Sequence, residues 1–237
     1  MTPSHHRVHH AINPEYIDKN FSQIFIVWDK IFGTFQKELK NVKPIYGIVR
    51  PAGTWNPIII NFKHFWQLLK YAWHAEKLLD KIRIWFMPTG WRPKDVIKKY
   101  PINTIVNPLE QIKYSTKNSI WIIGWSWVQL GFSNLFMIHL FFIISLFDQI
   151  LVIIYGAFII THIFSFTSVL DQKKYAVGVE MIKCVLAIFL LWQQNLSLFG
   201  FEGIIVLGFI FYLFLSFIIT IIFIQKQKQL FSSIVST

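Results

Sequence analysis

Sulfur and charge are what this sequence has least of. One cysteine, Cys184, stands among 237 residues. A single thiol excludes any intramolecular disulfide and any site built from several thiolates. Cys184 lies in an apolar run and reads as a small residue facing lipid or a neighbouring helix. Only 15% of residues are charged, against about 25% in ordinary soluble domains. Acidic groups are scarcer still, 12 against 23 Lys and Arg, for a net charge of +11. There is no Gly-rich phosphate loop, no CxxC pair, no Ser/His/Asp set and no internal repeat. Those absences argue against nucleotide-loop, dithiol and serine-hydrolase chemistry. The first fifteen residues are polar and His-rich and do not read as a signal peptide.

What is abundant is apolar and aromatic. Hydrophobic residues make up 54% of the chain, with 24 Phe and 10 Trp, and the mean hydropathy is +0.47. Long stretches have no Asp, Glu, Lys or Arg: 30 residues between Lys117 and Asp148, 22 between Asp148 and Asp171, and 23 between Glu202 and Lys226. Each exceeds the ~20 residues a helix needs to cross a bilayer. An 18-residue run between Lys183 and Glu202, led in by Val177 to Ile182, also suffices. The sequence therefore predicts four transmembrane helices, near 120–146, 149–169, 177–194 and 203–225. Lys and Arg cluster before the first, between the second and third (Lys173, Lys174) and after the fourth (Lys226, Lys228). With four spans those basic segments share one side, which the positive-inside rule makes cytoplasmic. The chain thus reads as an all-α, multi-pass integral membrane protein, with cytoplasmic or interfacial helices ahead of about four spans.

The basic surplus belongs to the front half. Residues 1–117 carry 18 Lys/Arg and 8 Asp/Glu, a balance of +10; residues 118–237 carry 5 and 4, a balance of +1. The cations are mixed with Trp and Phe and lead into the spans, so lipid headgroups suit them better than nucleic acid. Residues 21–39 have an aromatic face (Phe21, Ile24, Phe25, Trp28, Ile31, Phe32, Phe35). They are expected to form an amphipathic helix lying on the membrane or packed under a site, with a buried core helix as the other reading. Breakers mark a loop over 43–57. A second interfacial helical segment is expected over 58–87, and a polar, basic linker over 94–118. In domain terms this gives 1–40, then an interfacial region and linker over 41–118, the spans over 119–226 and a polar tail over 227–237.

The most distinctive stretch is Thr2-Pro3-Ser4-His5-His6-Arg7-Val8-His9-His10. Thr2 suits a helix N-cap and Pro3 the first helical position, where its missing N–H costs nothing. Pro14 should stop the helix near Ile12 and Asn13. On that helix His6, His9 and His10 stand at i, i+3 and i+4, on one face. Three imidazoles are a plausible part of a metal site, but imidazole accepts Fe, Zn, Cu and Ni, so the spacing does not choose the metal. A solvated His-rich segment is the alternative. Elsewhere, His139 and His162 fall inside predicted spans and read as neutral rings bonded to a neighbouring helix. His64 and His74 read as interfacial, and Glu180 with Lys183 as an i, i+3 pair near a helix end.

The His-rich string, followed by Ile17-Asp18-Lys19-Asn20 and then Trp28-Asp29-Lys30-Ile31-Phe32-Gly33-Thr34-Phe35, resembles the end of the catalytic region of the fatty acid hydroxylase/sterol desaturase superfamily. Within it, the string resembles the alkylglycerol monooxygenase-like proteins. The Tyr46-Gly47 loop and the Pro88-Thr89-Gly90-Trp91 turn are more loosely similar. The resemblance implies a membrane-bound, non-haem di-iron enzyme that uses O2 and an electron donor to oxidise a C–H bond of a membrane lipid. A tetrahydropterin is implied by that group alone. Carried over, His6, His9 and His10 are iron ligands forming the last of three histidine boxes. His5 stands beside the pattern, as a group supporting a ligand. The two earlier boxes are not in this sequence, so the chain is expected to be the C-terminal part of such an enzyme. A non-catalytic membrane protein with a relic or partner-binding histidine segment is the other reading.

Overall fold

The computed structural model describes residues 1–88, 90–102, 105, 107–198 and 200–235, with side chains described through Gln227. Among the described residues the fold is all-helical, and the only β features are two isolated bridges, Ala11 with Tyr46 and Leu198 with Phe201. The α-helices among the described residues are α1 (Pro3–His9), α2 (Val27–Ile31), α3 (Pro57–His74), α4 (Leu78–Arg83), α5 (Lys94–Lys99), α6 (Ile120–Ile143), α7 (Gln149–Leu170), α8 (Ala176–Gln193) and α9 (Ile204–Val235). The chain forms two compact units. One holds residues 1–53 and 63–114; the other holds 54–62 and 115–237.

The second unit is a bundle of four helices long and apolar enough to cross a membrane: Ile120–Ile143, Gln149–Leu170, Ala176–Gln193 and Ile204–Gln227. Their ends lie within three residues of those expected, because Asp148, Asp171 and Glu202 bound the uncharged runs. At ~1.5 Å per residue, even the 18-residue α8 is about 27 Å long, close to a hydrocarbon core. Consecutive helices pack on one another, and α7 also touches α9. The core is aromatic: Phe136, Tyr155, Phe158, Phe209 and Tyr212 are buried with Leu190 and Leu213. The outward faces are equally apolar, as a lipid solvent allows; Trp121, Phe142, Ile150 and Phe214 are exposed. The last helix runs on as backbone into the expected 227–237 tail, most of whose side chains lie outside the described residues.

The first turn of α3 belongs to this unit and is tied to the end of α7. Buried Asn56 caps α3, its Oδ1 accepting from Ile58 N at 3.0 Å and Ile59 N at 3.2 Å. Its amide nitrogen donates to Phe164 O at 3.3 Å. Asp171 accepts from the Thr54 hydroxyl and, at 2.8 Å, from Trp55 N. An N-cap is worth ~1 kcal/mol, and here it also fixes where α3 starts against the bundle.

The first unit has two small cores. Tyr71, Ala75, Ile84 and Val96 form one, with Leu68 and Trp91 against it. Val8, Ala11 and Tyr16 form the other, covered by Val42. Two expectations need correction here. Residues 21–39 are not one amphipathic helix: only Val27–Ile31 is helical. The apolar spacing was helical, but the carboxylate of buried Asp29 captures Phe21 N at 2.8 Å, Ser22 N at 3.1 Å and the Thr34 hydroxyl at 2.7 Å. Those bonds fold the segment back on itself, and Gly33 turns the chain at φ +72°. Residues 94–118 are not simply a linker, since they begin with α5, whose Val96 is fully buried.

Candidate metal centre

Helix α1 presents the histidines. Thr2 caps it as expected, its hydroxyl accepting from His5 N at 3.4 Å, and Pro3 opens it. The cap is reciprocal: Thr2 N donates to His5 Nδ1 at 3.3 Å. His5 therefore takes the place that Glu or Gln holds in an ordinary capping box, and its ring lies edge-on to Phe35. The helix ends at His9, about one turn before the expected stop. Residues 12 and 13 are instead engaged by the next strand of chain: Ile12 N donates to Ile45 O at 2.8 Å, and Asn13 Oδ1 accepts from Ile45 N at 2.7 Å. Those bonds satisfy the backbone without a further helical turn.

His6, His9 and His10 stand together on one face of α1. The ring centroids of His6 and His10 are 4.5 Å apart, those of His9 and His10 5.1 Å, and those of His6 and His9 6.3 Å. The Nε2 atoms of His6 and His10 approach to 3.1 Å. Two nitrogens bound side by side at ~2.1 Å from one ion would lie about 3 Å apart, so this pair has a ligand's spacing. His9 stands beside them, and no three His, Cys, Asp or Glu side chains among the described residues have donor atoms gathered for a single ion. All three rings are exposed on the surface of α1. Burial, and then the nearby His6 and His9, push the His10 pKa below its usual value, which favours the neutral, ligating form. Imidazole nitrogen, the donor type this face presents, is one that first-row transition metals accept.

Under the rings the helix is firmly held. Val8 is fully buried. Arg7 makes a two-pronged contact with Glu38, Nε to Oε2 at 3.0 Å and Nη2 to Oε2 at 2.5 Å. The hydrogen bond to Glu38 raises the Arg7 pKa above its ordinary value. Asn20 is the hub below: its amide nitrogen donates to His5 O at 3.2 Å and to Gln36 O at 2.8 Å, and its oxygen accepts from Gln36 N at 2.9 Å. Asp18 and Asn20 both adopt left-handed backbone, φ 56° and 53°, a conformation Asp and Asn tolerate better than most residues. Asn20 and Asp29, fully buried and fully bonded, were not singled out as functional from sequence. Their signal was present, since each sits in one of the segments that carry the family resemblance.

A cavity of about 550 Å³ opens at the histidine face, lined by His6, Arg7, His10, Tyr46, Gly47, Ile48 and Gln111. Tyr46 lies in a loop that the resemblance covers loosely but had no role assigned from sequence, and nothing local marks Gln111. Gly47 is needed for the close approach: a Cβ there would stand 2.5 Å from Gln111 Oε1, so a side chain at 47 displaces the amide.

Of the remaining histidines, His74, His139 and His162 have partners of their own. His74 stacks on Tyr100 at 4.7 Å, and His64 is exposed. His139 Nδ1 lies 3.1 Å from Tyr155 OH, and His162 Nε2 lies 3.0 Å from Gln129 O. Both bundle histidines are thus bonded to a neighbouring helix, as expected. Glu180 and Lys183 do pair, at 2.5 Å, and both are fully buried. Around them Lys183 Nζ donates to Ser216 Oγ at 2.8 Å, Ser165 donates to Glu180 at 2.5 Å, Gln129 Nε2 donates to Ser216 at 2.8 Å, and the Tyr212 hydroxyl donates to Gln129.

No protein-family model and no solved structure matches the chain. Curated proteins do. The chain is 31% identical to the alkylglycerol monooxygenase of Homo sapiens over 193 residues, which are 80% of this chain and 42% of that protein. It is 32% identical to the Danio rerio protein of the same name, with the same coverage. The Caenorhabditis elegans protein of that name is 31% identical over 208 residues, 77% of this chain and 40% of its own length. Over about four-fifths of its length this membrane protein is therefore similar to alkylglycerol monooxygenases, and it spans about two-fifths of theirs.

Proposed function

We propose that this chain is part of a membrane-bound, O2-dependent lipid monooxygenase of the non-haem di-iron type, in the fatty acid hydroxylase/sterol desaturase superfamily. Its substrate class is the ether lipids named by its relatives, the alkylglycerols. The observation that carries this is the grouping of His6, His9 and His10 on one face of α1, in a chain similar to monooxygenases by name. Those three residues are proposed as one of the three histidine boxes, contributing part of the ligand set. Iron held there supplies activation of O2 toward an unactivated C–H bond. The balance is one O2, two electrons and two protons per C–H converted to C–OH, with one water released. The electrons require a donor, a tetrahydropterin by the family resemblance.

The chain's own groups have defined tasks. Thr2, Asn20 and the Arg7–Glu38 pair hold α1 so that the three rings share a face. Tyr46 and Gln111 wall the cavity that His6 and His10 open onto. The four spans keep the chain in the bilayer, where an alkyl chain resides. The histidine face is proposed to be cytoplasmic, which the Lys173, Lys174 and Lys226 positions support.

The test is to purify the protein from membranes, measure its iron, and follow oxygen from isotopically labelled O2 into an alkylglycerol. H6A, H9A and H10A are each expected to lower bound iron and abolish label incorporation. Unchanged oxidation in the triple variant would overturn the reading.

A further inference from the structure

The four-helix unit carries a second site, none of whose lining residues is a histidine. A groove of about 450 Å³ runs between α6 and α7, within the roughly 300–1,000 Å³ of small-ligand sites. Its walls are Ile123, Trp127, Leu130 and Phe166, and its floor is at Ser126. Ser126 is small and its hydroxyl is turned back to Ile122 O at 2.8 Å, so the floor offers no polar group. Trp127 and Ile123 are exposed on the outer surface of the span, so the groove opens sideways, to where acyl chains lie in a bilayer.

One end is different. Trp55, Thr116 and Asn118 close it. Thr116 Oγ1 accepts from Trp55 Nε1 at 3.1 Å and from Asn118 Nδ2 at 2.9 Å. A hydroxyl has two acceptor positions and one hydrogen. With both acceptors engaged, its O–H is left to donate, to an oxygen that can accept. The cap is rigid: Asn118 Nδ2 also donates to Leu170 O at 2.9 Å, and Gln172 Nε2 donates to Asn118 Oδ1 at 3.1 Å. None of the described residues lining the groove is charged, so a phosphate would find no cation there and a cationic head no carboxylate.

We propose that this groove binds one neutral, single-chain glycerolipid, its chain along Trp127 and Phe166 and its ether or hydroxyl oxygen accepting from Thr116. The choice of an alkylglycerol as the ligand rests on the reactive reading above; the groove itself does not. It would hold the lipid in the bundle as a store.

The experiment uses the whole protein in lipid nanodiscs and an alkylglycerol carrying a photoreactive diazirine in its chain. Labelled peptides are expected to come from residues 115–130 and 166–170. Excess unlabelled alkylglycerol should suppress the labelling, and excess lysophosphatidic acid should not. T116V should cut labelling at least ~5-fold, about the worth of one hydrogen bond, while T116S, which keeps the hydroxyl, should stay near native. Labelling spread evenly over the lipid faces of all four spans, equal suppression by lysophosphatidic acid, or T116S failing with T116V would each overturn the proposal. Lipid oxidation is not the readout. A groove that labels as expected in a protein that oxidises nothing sinks the reaction and keeps the groove; oxidation without labelling does the reverse.

Discussion

Two polar clusters in this molecule are built on opposite terms. In the bundle, Gln129, His162, Glu180, Lys183, Tyr212 and Ser216 come from four helices and are almost fully hidden. They bind one another: the ion pair at 2.5 Å, Lys183 to Ser216 at 2.8 Å, Gln129 to Ser216 at 2.8 Å. On α1, three imidazoles face outward, and the closest polar approach among them is His6 to His10. Their support comes from beneath, through Asn20 and Asp29. The first arrangement is closed, its polar capacity spent within the protein. The second is open, its ligand atoms presented and its scaffold buried. A closed cluster in an apolar bundle specifies which helices meet and in what register. An open one on a fixed helix suits an external ligand.

The contrast can be broken most severely in the bundle. Lys183→Met strands the buried Glu180 carboxylate without its cation, and should cost ~3–5 kcal/mol, read as a lower unfolding midpoint in detergent. The paired change Lys183→Met with Glu180→Leu should recover most of that loss. If the single variant is as stable as the native protein, the cluster is not closed in the sense argued here.

Next in size is Asp29. Asp29→Ala leaves the Phe21 and Ser22 amides and the Thr34 hydroxyl without their acceptor, and should destabilise the first unit by ~2–3 kcal/mol, seen as faster hydrogen exchange over residues 20–36. The same carboxylate gives a pH signature. Burial raises its pKa, but bonds from Ser22, Thr34 and Phe21 outweigh that and hold it below the ordinary 3.8. A depressed carboxyl stabilises the fold fully above its unfolded pKa, and that contribution is lost as pH falls through the folded value. The protection of the Phe21 and Ser22 amides, relative to intrinsic exchange at each pH, should therefore be constant near neutrality and fall only below about pH 4. The smallest effect is expected at the helix start: Thr2→Ala should cost ~1 kcal/mol, loosening the histidine face and lowering iron affinity without removing a ligand.

These residues also show what sequence could and could not convey. The spans were legible because membrane insertion is read from uninterrupted apolar length, and Asp148, Asp171 and Glu202 bound it. The histidine face was legible because Thr2, Pro3 and the i, i+3, i+4 spacing are local. Residues 21–39 misled because their apolar spacing is helical while the deciding contact, Asp29 to the amides of Phe21 and Ser22, runs backward along the chain. Glu180 and Lys183 were visible as a pair, but not their depth: their partners Ser165 and Ser216 lie on other helices. Gln111 had no local mark at all.

That last residue carries a consequence for assembly in time. Helix α1 is complete within the first ten residues, with its cap and its rings in place. The wall opposite His6 and His10 needs Gly47, and then Gln111, about a hundred residues later. Helix α1 is too short to persist alone and is held by Asn20, Glu38 and Val42; at ~10 residues per second of synthesis, about seven seconds then pass before Gln111 can wall its cavity. During that interval the exposed rings are reachable by any metal the cell supplies, so loading before closure is open to this chain in a way that a site formed entirely by long-range contacts would not allow.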